Sequence, residues 1–212
     1  MEVFLATFSA LFPVINPLGA TPVFLALTES LDRKSRNEQA LKACLYMIGI
    51  LAVFFFAGTF ILNFFSLRIE DLRIAGGILI LRSGLNLLNP DDAHKGNKRL
   101  SKEVQEEGLV KEDISFTPLA MPLLSGPGSI AVVIGMYNKA EGYRDFGYII
   151  AAIIMMALAS YLILRSSQRF TKFLGKGGMA ALSRMMGFIV LSIGVSFIVN
   201  GILSLVEMNQ AK

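Results

Sequence analysis

The chain has 212 residues, 54% of them hydrophobic and only 17% charged, with a mean hydropathy of +0.59, a net charge of +4 and a pI near 9.3. A soluble domain carries roughly 25% charge, so the shortfall argues against an ordinary soluble enzyme and for lipid as the main surroundings. One cysteine (Cys44) and one histidine (His94, in a charged loop) exclude an internal disulfide and a Cys- or His-rich metal site.

Six apolar gaps between charge clusters are read as membrane spans, and five of them are long enough to cross a hydrocarbon core of roughly 30 Å at about 1.5 Å per residue. The first is Val3–Leu27. Only Glu2 precedes it in charge, and no small-residue cleavage site follows, so it is expected to be retained rather than removed as a signal peptide. Within it, "FPVINPLGATPVFLAL" holds three prolines and a glycine. Span two is Ala43–Leu67, with its "VFFFAGTF" phenylalanine cluster. Span three, Ile74–Leu88, is short at 15 residues and contains Arg82.

A charged linker follows, 89–115, with seven acidic and five basic residues. Arg99–Glu103 and Lys102–Glu106 stand at helical i,i+4 spacing, which suits a short solvated helix. Span four, Phe116–Asn138, opens with a second broken stretch, "FTPLAMPLLSGPGSIAV". Spans five and six are Phe146–Leu164 and Met185–Val206. The loop between them carries basic residues interleaved with Phe170, Phe173 and Leu174, a pattern that suits anionic headgroups.

The basic charge follows topology rather than nucleic-acid binding. Loops after spans one, three and five hold fourteen Lys+Arg, while the remaining connectors and both tails hold five. The positive-inside rule places those three loops in the cytoplasm and both termini outside.

The two halves repeat. Pro13, Asn16 and Gly19 match Pro122, Ser125 and Gly128 as P-x-x-[N/S]-x-x-G, and each copy carries a further proline, Pro17 or Pro127. Arg73–Gly76 matches Arg184–Gly187 as Arg-x-x-Gly, at intervals of 60 and 62 residues from the first motif. Three spans per repeat force opposite orientations. The expectation is therefore an all-α polytopic membrane protein, two inverted three-helix repeats (1–88 and 116–212) with broken helices one and four.

Proline removes a backbone donor and clashes one turn back, and lipid offers the freed groups nothing. Inverted-repeat transporters use such breaks near the midplane to bind substrate. Half-helix N-termini attract carboxylates, and freed carbonyls attract ammonium groups or cations. The candidate substrate-binding residues are Asn16, Pro17, Gly19, Thr21, Ser125, Gly126, Gly128 and Ser129, a set suited to a small zwitterion. The competing reading is that the prolines merely kink helices for packing. Gly76, Gly77 and Gly84 on span three, with Gly187 and Gly194 on span six, are assigned to close helix contact. Arg73 and Arg184 stand at span ends and are read as structural or gating. Arg82 has two readings: pairing with a substrate carboxylate, or snorkelling to the cytoplasmic interface. No Asp, Glu or His falls inside a span, so no intramembrane enzyme is expected. Any coupling ion, H+ or Na+, would need backbone and neutral groups. No cofactor is expected; the partners are the bilayer and a small solute, with a homo-oligomer through glycine-rich faces as a further option.

The segments "NPLGATPVF", "LRIAGGILI", "PLAMPLLSGPGSIA" and "GKGGMAALSRMMGF" resemble the MarC family of bacterial and archaeal membrane proteins. The resemblance covers nearly the whole chain apart from the central loop. It implies a six-span protein of the inner or plasma membrane, related to small neutral amino acid transporters and more distantly to LysE-type exporters. Glycine- or alanine-like substrates are what it suggests, and an apolar residue is what it would place at Arg82. Drug efflux, or a stress-linked scaffold without transport, are the alternative functions.

Overall fold

The computed structural model describes residues 1–88 and 113–210, and within them every regular element is helical. The helical reading of Arg99–Glu103 and Lys102–Glu106 lies outside the described residues.

The first predicted span is two helices, α1 (Glu2–Ile15) and α2 (Pro17–Leu27), bent by 41°. The break is written in the dipeptide Asn16-Pro17. A residue before proline is pushed out of the right-handed helical region, and Asn16 adopts the left-handed one at φ 47°. Asparagine tolerates that conformation better than other side chains. Pro17 then opens α2 at the position where its missing N–H costs nothing.

Helix α3 (Arg33–Phe64) begins ten residues before the apolar run. The Asp32 carboxylate accepts from the amides of Lys34 (3.1 Å) and Ser35 (3.2 Å), capping a polar first turn that continues into the span. Helix α4 (Ile69–Leu88) likewise starts earlier than predicted. Helix α5 (Ser115–Leu124) has loose, wide turns, and extended backbone at Thr117 and Met121, each before a cis proline. Gly126 and Pro127 then start α6 (Pro127–Lys139), bent 64° from α5. Helix α7 is Tyr143–Arg165. The basic loop predicted after it is largely helical, because α8 (Ser167–Gln210) starts there and breaks at Gly175, whose φ of 64° favours glycine.

Three stretches are long and apolar enough to cross a membrane: α3, α7 and residues Gly177–Met208 of α8. Each bent pair adds one more if it counts as a single span. Helix α4 is not among them, since Glu70, Asp71, Arg73 and Arg82 interrupt its 20 residues.

Packing exchanges the halves. Helix α1 packs on α7, while α5 and α6 pack on α3; α2 contacts α8, while α6 contacts α4. The core between them is fully buried at Leu11, Phe24, Met47, Phe55, Leu119 and Ile153. Phe55 meets the rings of Tyr137 and Phe146 edge-on at 5.3 and 5.6 Å. Its neighbours Phe56 and Phe60 point outward, together with Ile154, Leu158, Phe188 and Leu203. So broad an exposed apolar surface is a liability in water and a match to lipid.

The tightest contact is α4 against α8, which run antiparallel. A methyl group added at Gly77 would lie 2.9 Å from the Gly194 carbonyl oxygen, and one at Gly194 would lie 2.9 Å from that of Gly77. Gly84 and Gly187 face each other in the same way, at 2.9 and 3.0 Å. Gly76 turns instead to α6, where a methyl would meet the Ala131 Cβ at 2.5 Å. The glycines assigned to helix contact are thus used within one chain, which leaves them unavailable to a homo-oligomer.

Candidate functional site

At the first break the Asn16 side-chain oxygen accepts the Gly19 amide at 3.1 Å, and the backbone ladder resumes with Ala20 N–H to the Asn16 carbonyl at 3.0 Å. A side chain at Gly19 would collide with the Asn16 carboxamide, so glycine is required there by close approach. The Thr21 hydroxyl donates back to the Pro17 carbonyl at 3.1 Å. Pro13 and Pro22 lack an N–H, so the carbonyls of Ser9 and Leu18 lose their i+4 donors.

The second break has the same outline with different caps. The Ser125 amide closes α5 on the Ala120 carbonyl at 2.7 Å. The Ser129 hydroxyl donates to the Gly126 carbonyl at 2.8 Å. The amides of Gly128 and Ser129, in the first turn of α6, have no intrahelical acceptor, and the helix dipole makes this end positive. The Ser125 hydroxyl is fully buried with no partner among the described residues. An unsatisfied buried hydroxyl costs about 1–3 kcal/mol, and Ser125 stands three residues before Gly128, the first of these amides.

A cavity of about 210 Å³ opens at this point. Helix α5 and the break supply Pro122, Leu123 and Gly126, and α6 supplies Pro127, Gly128 and Ser129. Val14 of α1, Leu79, Ile80 and Ser83 of α4, and Val190 of α8 complete the wall. Gly128 is what lets α6 close in: a methyl there would meet Ile80 at 2.6 Å and Val14 at 3.0 Å. Of the eight candidate residues, the structure brings Gly126, Gly128 and Ser129 into the lining, with Ser125 buried beside it. Asn16, Pro17, Gly19 and Thr21 do not line it; their polar groups are engaged in building the first break. From the first broken pair only Val14 of α1 lines it, two residues before the break.

Ser83 was not singled out from the sequence, although it stands next to Arg82. Both are polar interruptions of an apolar run, and only helical phase tells them apart. Both are exposed, but Ser83 belongs to the cavity wall, while Arg82 lies outside it and forms no ion pair among the described residues. Arg184 is exposed as well, whereas Arg73 is half-buried in the wall of a second cavity.

Two anchors hold the broken segments in place. Arg36, buried at the start of α3, donates from Nη2 to the Thr28 carbonyl (2.8 Å) and the Leu31 carbonyl (3.2 Å), and from Nε to Thr28 (3.3 Å). It places a cation on the negative end of α2. At the start of α5, the Gln39 side chain accepts the Ile114 amide at 3.2 Å. The Asp113 carboxylate accepts both the hydroxyl and the amide of Ser115, and these bonds hold it below the usual carboxylate range. Neither anchor was read from the sequence: Arg36 reaches carbonyls five and eight residues back, and Gln39 meets an amide 75 residues on.

The family model described as "MarC family integral membrane protein" matches residues 1–206. An inner membrane protein MarC of Citrobacter koseri is 37% identical over 204 residues, covering 93% of this chain and 92% of that one. A membrane protein of Methanocaldococcus jannaschii is 38% identical over 202 residues, covering 95% and 97%. An inner membrane protein MarC of Escherichia coli O157:H7 is 35% identical over 207 residues, covering 94% of each. No solved structure matches.

Proposed function

This chain belongs to the MarC family of integral membrane proteins and is a multi-pass protein of the inner membrane; we propose that it is a secondary transporter of small neutral amino acids or similar small solutes. The cavity at the second helix break carries the reading. It brings together an exposed helix N-terminus, two serine hydroxyls and a backbone freed by proline, with no charged side chain in its wall. A carboxylate would sit against the amides of Gly128 and Ser129, and an ammonium group against freed carbonyls. A coupling ion, H+ or Na+, would use the same backbone groups.

The architecture in this proposal is six spans in two inverted repeats, with α4 as the third span covered by α8. Exchange of the halves in packing supports it, since α1 on α7 mirrors α5 on α3. So does a single register: Pro17 and Pro127, Gly77 and Gly187, and Gly84 and Gly194 each stand 110 residues apart. Each pair plays the same part, the prolines opening a half-helix and the glycines facing one another across α4 and α8.

Cavity size favours a small solute over drug efflux. At about 210 Å³ it falls below the roughly 300–1,000 Å³ of pockets that enclose drug-sized ligands. The scaffold reading places its partners on the 89–115 linker, and truncation of that segment separates it: a transporter keeps its flux.

The test is uptake and counterflow of labelled glycine and alanine in proteoliposomes, comparing wild type with Ser83→Leu and Ser129→Leu. Flux in the wild type, lost in both variants while folding is intact, supports the reading. Wild-type flux no greater than that of empty liposomes, with or without sodium and proton gradients, sinks it.

A further inference from the structure

A second cavity, of about 300 Å³, lies between α4, α6 and α8. Its polar wall is Arg73 from α4, Lys139 from the last turn of α6, and Asn200 and Ser204 from α8. Val132, Met136 and Phe197 form the apolar remainder, with Gly135. Two cations line it and no carboxylate does. Neither cation forms an ion pair among the described residues. Lys139 alone has an ordinary explanation, a cation at the negative end of α6. Arg73 has none of that kind. It stands within the first two turns of α4, where the helix end is positive, and its side chain is half-buried. Arg73 and the exposed Lys139 thus offer one concave wall two positive charges without a carboxylate partner in the lining, an attraction for an anion.

The cavity is placed on the same seam as the central one. On α6, Gly128 is followed at helical spacing by Val132, Gly135 and Lys139; on α4, Ser83 and Ile80 are followed by Gly76 and Arg73; on α8, Val190 is followed by Phe197 and Ser204. Arg73 lies seven residues from Ile80, about 10 Å along the helix. Between the two cavities the seam is pinched where Gly76 meets Ala131.

We propose that Arg73, Lys139, Asn200 and Ser204 form an oxyanion-binding site, taking a carboxylate or a phosphate at the mouth of this seam. The arginine fork offers a planar, bidentate match to either group. Lys139 adds a point charge, and the amide and hydroxyl of α8 add neutral hydrogen bonds. The site stands whether or not a solute crosses the membrane. Its ligand comes either from free solute or from the headgroup of an anionic lipid.

Two arms separate those sources. In nanodiscs of phosphatidylcholine alone, saturation-transfer NMR measures binding of acetate and of inorganic phosphate. In nanodiscs containing phosphatidylglycerol, native mass spectrometry counts the anionic lipids retained. The variants are Arg73→Gln with Lys139→Gln, the conservative Arg73→Lys, and Arg184→Gln as the control at an exposed cation. Small-anion binding that falls at least tenfold in the double variant, is partly kept by Arg73→Lys and is unchanged in Arg184→Gln supports a site for free oxyanions. Lipid retention with the same dependence, and no small-anion binding, supports a headgroup site. No binding in either arm, or binding that the double variant leaves unchanged, overturns the proposal. Each variant is first checked for a monodisperse elution profile and wild-type helicity, and Asn200→Leu provides a second route to weakened binding if the double variant misfolds.

Discussion

Gly84→Ala tests the packing on which both cavities depend. The added methyl would lie 2.5 Å from the Leu191 nitrogen, 2.8 Å from its Cα and 2.9 Å from the Gly187 oxygen. Relaxed carbon contacts stand at about 3.5–4.0 Å, so α4 and α8 must separate by about 1 Å. The obstructing atoms are backbone, and no rotamer change relieves them. Overpacking of this kind costs about 1–3 kcal/mol. That cost outweighs the gain of about 0.5–1 kcal/mol that replacing glycine by alanine gives a helix interior. The net expectation is a loss of roughly 1–2 kcal/mol. Gly49→Ala is the matched control, because a methyl there meets nothing within 4 Å, and it gains the propensity term alone. Stability is read by unfolding in mixed micelles with increasing dodecyl sulfate, followed by circular dichroism. Gly84→Ala combined with Gly194→Ala falls short of additivity, since one separation of the helices relieves both contacts. A Gly84→Ala protein as stable as Gly49→Ala would refute the close α4–α8 contact.

Arg36→Ala removes two bonds to the Thr28 carbonyl that caps α2 and one to the Leu31 carbonyl in the turn beyond it; at about 1.5–3 kcal/mol for a bond to a charged group, the loss is about 2–4 kcal/mol after sharing and relaxation, with Arg36→Lys intermediate in the same unfolding assay. Asp113 is a pH-dependent anchor. Its folded pKa is lowered by the Ser115 hydroxyl and amide, so its contribution is full above the unfolded value of about 3.9 and disappears as pH falls through the lower folded value. Hydrogen exchange at the Ser115 amide therefore accelerates only below about pH 4, and Asp113→Asn shows the faster exchange at every pH. For topology, in a Cys44→Ala background, Tyr143→Cys is labelled from outside intact cells, and Lys172→Cys only after the membrane is opened. The reverse pattern would invert the orientation proposed here.

The first half break was legible because its causes are local. Asn16-Pro17 combines a residue that tolerates left-handed backbone with one that forbids helix before it, and the chain bends there by 41°. The polar starts of α3 and α8 were missed for the opposite reason. Hydropathy marks where lipid begins, and a capped helix runs past that boundary without any change in apolar content. The duplicated motifs were visible, but their register was not. The sequence match pairs Ser125 with Asn16, whereas the geometry of the two breaks pairs Pro127 with Pro17. A short motif with several prolines aligns almost equally well one residue off, and only the backbone turn decides which proline opens the helix.

Composition by itself determined that this chain lives in a membrane, and the proline-glycine motifs that two of its apolar segments break. Those properties follow from transfer free energies and local sterics, which each residue carries with it. The tertiary structure alone decided which polar groups converge. Asn16 and Thr21 are consumed within their own break, Ser83 joins a cavity wall that its neighbour Arg82 does not, and Arg73 and Lys139, from different helices, line one cavity. Whether a side chain caps, lines a cavity or faces lipid depends on helical phase and on its neighbours, and these can stand 176 residues away along the chain, as Val190 does from Val14 in one cavity wall.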